Sequence, residues 1–285
     1  MTFPVLSRQQ RPAQTGTHSA KMKGIPFMRF NRLIPRKPQD EPEGPVSLDT
    51  AKMPDGHRAY VIGDIHGRND LLQDLLQKIA DDYKSRSTAK GHLVFLGDYI
   101  DRGRHSREVI NTLLSLNLAD MKIVSLRGNH ETAMQAFLDD PVRGKRWLYY
   151  GGDATLSSYG IDVALCNLTE EDILEAGHRL KMAMPSAHSN FLNGLVDSHI
   201  LGDYFFVHAG VDPCESLDKQ DPHDLHWIRD EFLDHEGLYE KIIVHGHSIS
   251  ATPEFRNNRI AIDTGAFYSN LLTCLVLEGS EKVIL

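Results

Sequence analysis

Five short stretches set carboxylate, imidazole, amide and guanidinium side chains beside glycine. In chain order they are Gly63-Asp64-Ile65-His66-Gly67, Gly97-Asp98-Tyr99-Ile100-Asp101-Arg102-Gly103, Arg127-Gly128-Asn129-His130-Glu131, His208-Ala209-Gly210 and His245-Gly246-His247. A carboxylate, an imidazole, a second carboxylate and an amide oxygen make a mixed oxygen and nitrogen donor set. Such a set suits Mn, Fe or Zn, whereas Ca and Mg favour oxygen throughout. Glycine next to these residues lets the backbone take positive φ and approach a ligand closely. A lone turn of this kind is common in loops. Several at matched strand ends make a candidate site.

The elements that must position these residues follow from periodicity. Apolar runs at 59–62, 92–96 and 122–126 precede the first three turns and read as strands. Between them, 69–83 and 106–118 carry apolar residues at helical spacing, with Leu71, Leu72, Leu75, Leu76 and Ile79 on one face and Val109, Ile110, Leu113 and Leu114 on the other segment's face. Strand, turn and helix, twice repeated, form a βαβαβ unit. Right-handed crossovers bring all three turns to one edge of a parallel sheet, so Asp64, His66, Asp98, Asp101, Arg102, Arg127, Asn129 and His130 are expected to converge. Sheet character returns at 203–207, 241–244, 259–262 and 271–277, and two of these strands run into His208 and into His245-Gly246-His247. The second half thus offers nitrogen donors where the first offers mostly oxygen.

Between the halves, a helix starting at the third turn ends at Asp139-Asp140-Pro141. Residues 142–197 read as a mainly helical insertion beside the crevice. Thr169-Glu170-Glu171-Asp172 is a capping pattern opening a helix to residue 184, and Pro185 opens another over 186–195. Trp147, Tyr149 and Tyr150 are expected to pack within this insertion. A further helix is expected over 224–233, with Trp227 and Arg229 inside it.

Composition bounds the class. The chain has 285 residues with 41% hydrophobic and 25% charged side chains, ordinary values for a globular domain with a sizeable core. No apolar run is long enough for a transmembrane segment. Residues 1–39 carry eight basic and no acidic side chains, so the net charge of -8 for the whole chain becomes -16 over the rest. An acidic body of this kind argues against nucleic acid as a partner, because phosphate backbones need clustered Lys and Arg. The first 50 residues read as a disordered basic tail ahead of a domain over 51–285. Its segment 27–37 could contact an anionic surface or a partner, and Met28 is an alternative start. Cys166, Cys214 and Cys274 form neither a disulfide framework nor a zinc ribbon, which points to a reducing, cytoplasmic setting.

Taken together and in this order, the five motifs resemble the calcineurin-like metallophosphoesterases. Within them the closest likeness is to PPP-type serine/threonine protein phosphatases of the bacterial and bacteriophage lambda kind, over residues 59–277. The resemblance implies a two-sheet α/β sandwich with a dinuclear metal centre at the loop ends, manganese being the first expectation and iron or zinc the alternatives. It makes Asp64 and His66 ligands of one ion, Asp98 the bridge, and Asn129, His208 and His247 ligands of the other. His130 becomes the general acid, Asp101 the group that holds its imidazole, and Arg102, Arg127 and Arg229 the phosphate grip. The family's Gly-His-Thr-Pro appears here as Gly246-His247-Ser248-Ile249, and His245 reads as a buried histidine behind the ligands.

The chemistry matches the residue types. Two divalent ions roughly 3.5 to 4 Å apart can share a hydroxide for in-line attack and neutralise charge on both the attacking and leaving oxygens. A serine alkoxide leaves poorly and needs a proton, which an imidazolium can supply. Arginine offers planar paired donors to phosphate oxygens. The expected substrate is therefore a phosphorylated protein or peptide. A dinucleoside polyphosphate hydrolase of the same fold, such as a diadenosine tetraphosphatase, is the alternative. Asp101-Arg102-Gly103 and Asn129-His130-Glu131 favour the phosphatase, and the complete donor set argues against an inactive binding module.

Overall fold

The computed structural model describes residues 44–118 and 121–285. The basic segment 27–37 and Met28 lie outside them. In chain order the elements are β1 (His57–Ile62), α1 (Asn69–Ser85), β2 (Lys90–Phe95), α2 (Ser106–Ser115), β3 (Met121–Ser125), α3 (Asn129–Asp139) and α4 (Pro141–Gly144). A π-helical turn (Leu148–Gly152) leads to α5 (Asp153–Ser158), α6 (Glu170–Ala183) and α7 (Ser186–Asn193). The second half contains β4 (Ser198–Leu201), β5 (Tyr204–Val207), α8 (Pro222–Trp227), α9 (Asp230–Leu233), β6 (Ile242–His245), β7 (Glu254–Phe255), β8 (Arg259–Ala261), α10 (Ala266–Ser269), β9 (Cys274–Glu278) and β10 (Glu281–Ile284).

These strands form two five-stranded sheets, ordered β10-β9-β1-β2-β3 and β4-β5-β6-β8-β7. The centre of each is parallel, β1-β2-β3 in one and β5-β6-β8 in the other, with antiparallel strands at the flanks. Period-two alternation sorts the side chains into layers. From β1, Ala59 and Val61 face the second sheet in a core shared with Val94, Leu96, Phe206, Val244 and Ile260. Tyr60 and Ile62 face the other way, onto α1 and α2 through Leu72, Leu75, Ile79, Val109 and Ile110. Outside the second sheet, Leu225 and Phe232 cover Phe205, Val207 and Ile243. Each fully buried aliphatic side chain contributes about 1.5–3 kcal/mol, so the layer between the sheets locks the two sets of strand ends together. The architecture is the expected two-sheet α/β sandwich.

Local signals place most elements well. The Thr169–Asp172 box caps α6 reciprocally, with the Thr169 N–H donating to Asp172 at 2.9 Å and the Asp172 N–H donating to Thr169 Oγ1 at 3.2 Å. Strands β4, β7 and β10 were not anticipated; they are two to four residues long, flank the sheets and keep mostly part-buried or exposed side chains. The helix expected over 224–233 is instead two short helices broken at Ile228 and Arg229, where Arg229 leaves helical geometry at φ -135° and ψ -99°. Packing against the sheet begins before residue 51. Val46 is buried and its N–H donates to the Tyr239 carbonyl at 2.9 Å. Among the described residues no helix is long and apolar enough to cross a membrane.

Candidate metal centre

Every motif lies at a strand C-terminus. Asp64 and His66 follow β1, Asp98, Asp101 and Arg102 follow β2, and Arg127, Asn129 and His130 follow β3. His208 follows β5, and His247 follows β6. The backbone there is unusual. Among the described residues seven non-glycine residues have positive φ, and five of them are His66, Asp98, Asp101, Arg102 and His247. Such conformations cost about 1–3 kcal/mol each and persist only where the surroundings hold them. Glycine opens the space: a Cβ on Gly246 would collide with the Asp64 carboxylate, and one on Gly128 with that of Asp98.

The donors meet around Asp98. Ligand atoms of Asp98, His208 and His247 lie within 4.8 Å of one another, as do those of Asp98, His66 and His130. Asp98 Oδ2 is 3.4 Å from His66 Nε2, and Oδ1 is 3.4 Å from His208 Nε2. Asn129 Oδ1 is 2.9 Å from both His208 Nε2 and His247 Nδ1. Asp64 belongs to neither of the two tight groups; its carboxylate accepts the His247 N–H at 3.1 Å. All seven of these side chains are buried.

Tautomers show that a cation fits. His66 Nδ1 is 2.9 Å from the Ile100 carbonyl and His208 Nδ1 is 2.9 Å from that of Leu96. A carbonyl only accepts, so each Nδ1 carries the hydrogen and a neutral ring turns its Nε2 lone pair toward Asp98. Burial, above all, lowers the pKa of His66, His208 and His247, which keeps them neutral. Lone pairs then face carboxylate and amide oxygens across short gaps, and a positive ion between them resolves that conflict. The carboxylates point the same way. Burial, then the neighbouring Asp263 and Asp98, raises Asp64, and burial first of all pushes Asp263 up to about 6. Burial also works against an ionised Asp98, and His130, the one ring here whose pKa is raised, is the group that favours its charge.

His130 differs from the other rings. Its Nδ1 is 2.6 Å from Asp101 Oδ2, while Nε2 faces the centre, 3.8 Å from Asp98 Oδ2 and 3.3 Å from Arg102 Nη2. Burial opposes its protonation, yet Asp98 and Asp101 raise its pKa above the usual histidine value. Among the arginines, Arg102 lies over the Phe267 ring at 4.6 Å and Arg229 Nη1 is 3.4 Å from Ser248 Oγ. Arg127 is partly engaged elsewhere, with Nη2 donating to the Leu192 carbonyl at 2.9 Å. His245 is buried with Nδ1 3.1 Å from the Gly246 carbonyl, and burial lowers it to about 3.

Four participants went unassigned at the level of sequence. Asp263 neighbours Asp64; its signal was an aspartate close to a glycine just after β8, at the same end of the second sheet as His208 and His247. Glu131 accepts the N–H groups of Asp98, Tyr99 and Gly128 at 3.0, 2.8 and 3.0 Å, clamping the β2–α2 loop to the start of α3. Trp147 and Thr155, from the helical insertion, both donate to Asp101. No local pattern marked those two.

Known proteins place the fold in a family. A model described as calcineurin-like phosphoesterase matches residues 57–264. Over 237 residues the chain is 29% identical to the asymmetrical bis(5'-nucleosyl)-tetraphosphatase PrpE of Bacillus mycoides, covering 78% of this chain and 92% of that protein. It is 45% identical over 79 residues to the serine/threonine-protein phosphatase BSL2 of Arabidopsis thaliana, covering 26% of this chain but 7% of that one. A crystal structure reported as a candidate diadenosine tetraphosphatase superposes with a TM-score of 0.53 at 19% identity, covering 81% of this chain and 93% of the other. A match that runs through both sheets, on loop ends that gather the donors divalent-metal chemistry requires, makes this chain a member of the calcineurin-like phosphoesterase family and an enzyme of the phosphoesterase class.

Proposed function

We propose that the chain hydrolyses phosphoserine and phosphothreonine monoesters of proteins or peptides, with two divalent ions, manganese foremost. Asp64, His66 and Asp98 hold one ion, and Asp98, Asn129, His208 and His247 hold the other. When bound, the pair supplies Lewis-acid neutralisation of phosphate charge and a water acidified toward neutrality. The observation that most supports a monoester is the His130–Asp101 pair, because an alkoxide leaving group needs a proton that a better leaving group does not. Asp101 keeps the Nδ1 hydrogen of His130 engaged, so the Nε2 hydrogen is the one presented to the ester oxygen. Arg102 and Arg229 orient the phosphate oxygens by paired N–H donation. Arg127 joins them from the β3 corner, braced on the Leu192 carbonyl. Three free thiols, two of them exposed, fit a reducing cytoplasm.

A second reading, hydrolysis of dinucleoside polyphosphates, draws on the relative from Bacillus mycoides, whose similarity extends over 92% of its length. Phe267 and Tyr268 support it as well: Phe267 lies 5.6 Å from His66, and Tyr268 packs on it while remaining 59% exposed, an aromatic face on which a base can stack. The deciding measurement is kcat/KM of the manganese-loaded protein on a phosphoserine peptide and on diadenosine tetraphosphate, side by side. A higher value on the peptide is expected; a higher value on the dinucleotide reverses the order of the two readings.

A further inference from the structure

Asp101 is fully buried, and its carboxylate meets more than His130. Trp147 donates its indole N–H to Oδ2 at 2.7 Å, and Thr155 donates its hydroxyl to Oδ1 at 2.6 Å. The Asp101 N–H in turn donates to Thr155 Oγ1 at 2.9 Å and to Ser106 Oγ at 3.0 Å. Trp147 and Thr155 are themselves buried to 1% and 0% exposure, so neither donor competes with water.

The stretch carrying them is rigid for steric reasons. The Trp147 ring packs on Phe137 at 4.9 Å between centroids, and a Cβ on Gly152 would sit 2.5 Å from the indole. Gly151, at φ 105°, accepts the Arg102 N–H at 3.1 Å, and a Cβ there would lie 2.6 Å from that nitrogen. Residues 147–155 therefore grip both Asp101 and Arg102, two residues held at φ 73° and 66°. Strained backbone of this kind needs such outside support.

We propose that Trp147 and Thr155 are positioning residues for proton delivery by His130, so that the helical insertion, which brings no metal donor, governs how well the enzyme expels poor leaving groups. The proposal rests on the reading of His130 as general acid. Neutral donors on both carboxylate oxygens aim Oδ2 at His130 Nδ1 and keep the ring from rotating. During hydrolysis the oxygen of water bonds to phosphorus and the ester P–O bond breaks. The leaving oxygen takes the Nε2 proton, and a proton from the attacking water restores the imidazolium. A nitrophenolate departs without that proton, but a serine alkoxide does not. Loss of positioning therefore slows an alkyl ester more than an aryl ester, whereas loss of the fold or of a metal donor slows both alike.

The test compares turnover on a phosphoserine peptide with turnover on p-nitrophenyl phosphate for Trp147→Phe, Thr155→Val, Thr155→Ser and His130→Asn, at matched manganese content. The peptide-to-aryl ratio is expected to fall about 10-fold in Trp147→Phe and Thr155→Val and about 100-fold in His130→Asn. Thr155→Ser, which keeps the hydroxyl, is expected to restore the ratio. In metal-free protein, the low-field Nδ1 proton resonance of His130 should shift in Trp147→Phe and Thr155→Val but not in Thr155→Ser. Equal losses on both substrates in Trp147→Phe and Thr155→Val, beside a selective His130→Asn, overturn the proposal alone. Equal losses in His130→Asn overturn the general-acid reading itself. If Trp147→Phe does not fold, the two threonine variants decide.

Discussion

At the start of β1, the Arg58 guanidinium is buried and donates to both Glu278 oxygens, Nε at 2.7 Å and Nη2 at 2.8 Å. Nearby, the Tyr60 hydroxyl donates to Asp82 at 2.6 Å and Arg86 pairs with the same carboxylate at 2.8 Å. Just past the other end of the same strand, Asp64 stands with Asp98 and Asp263, and the rings of His66 and His208 turn lone pairs toward Asp98. For Asp64 and Asp263 the electrostatic outcome is opposite to that of Glu278 and Asp82. The hydrogen bond from Arg58 holds Glu278 below the ordinary carboxylate range, and at Asp82 the bonds from Tyr60 and Arg86 outweigh burial to do the same. At the loop end, burial and neighbouring carboxylates raise Asp64 and Asp263. Charge that the protein neutralises by itself is architecture. Charge gathered and left for a cation marks the site.

Four measurements break or sharpen that contrast. Asp98→Asn removes the carboxylate common to both donor groups; metal content and kcat should fall together, kcat by about 10³-fold or more. Full metal retention in that variant would dissolve the distinction between the ends. His130→Asn lies one residue from a donor yet is expected to keep the metal while kcat on a phosphoserine peptide drops about 10²-fold or more. Adding Mn²⁺ should raise the unfolding temperature of the wild-type protein, with stabilisation of about 2.7 kcal/mol at a concentration 100 times Kd. Asp98→Asn should show little of that gain. The smallest effect belongs to the self-neutralised end. Arg58→Met is expected to lower stability by about 2 kcal/mol at pH 7, read by urea unfolding, with the metal content of the folded protein unchanged. Because the folded pKa of Glu278 is depressed, this contribution is present above the unfolded value of about 4.3 and is lost as pH falls through the folded value. The gap between wild type and Arg58→Met should therefore close in acid.

The candidate site was largely legible from residue order. Period-two and period-3.6 patterns identified the central strands and the helices between them, and the crossover rule sufficed to bring Asp64, His66, Asp98, Asn129 and His130 to one edge. β4, β7 and β10 flank the sheets and lack a buried alternating face, so little in their composition distinguishes them from loops. The helix expected over 224–233 breaks because Arg229 leaves helical φ and ψ between α8 and α9, and its guanidinium reaches Ser248, 19 residues away.

Sequence alone determined the donor types, their glycine neighbours and their placement at strand ends, because each of these is a property of a few adjacent residues. Only the tertiary structure decided which carboxylates crowd together, that Arg127 is braced on Leu192, and that Trp147 and Thr155 reach Asp101 across 46 and 54 residues. Such contacts depend on how the helical insertion packs against the first sheet. Side chains distant in the chain leave no periodic trace of their meeting, since the energy that brings them together resides in the core and not in the segments that carry them.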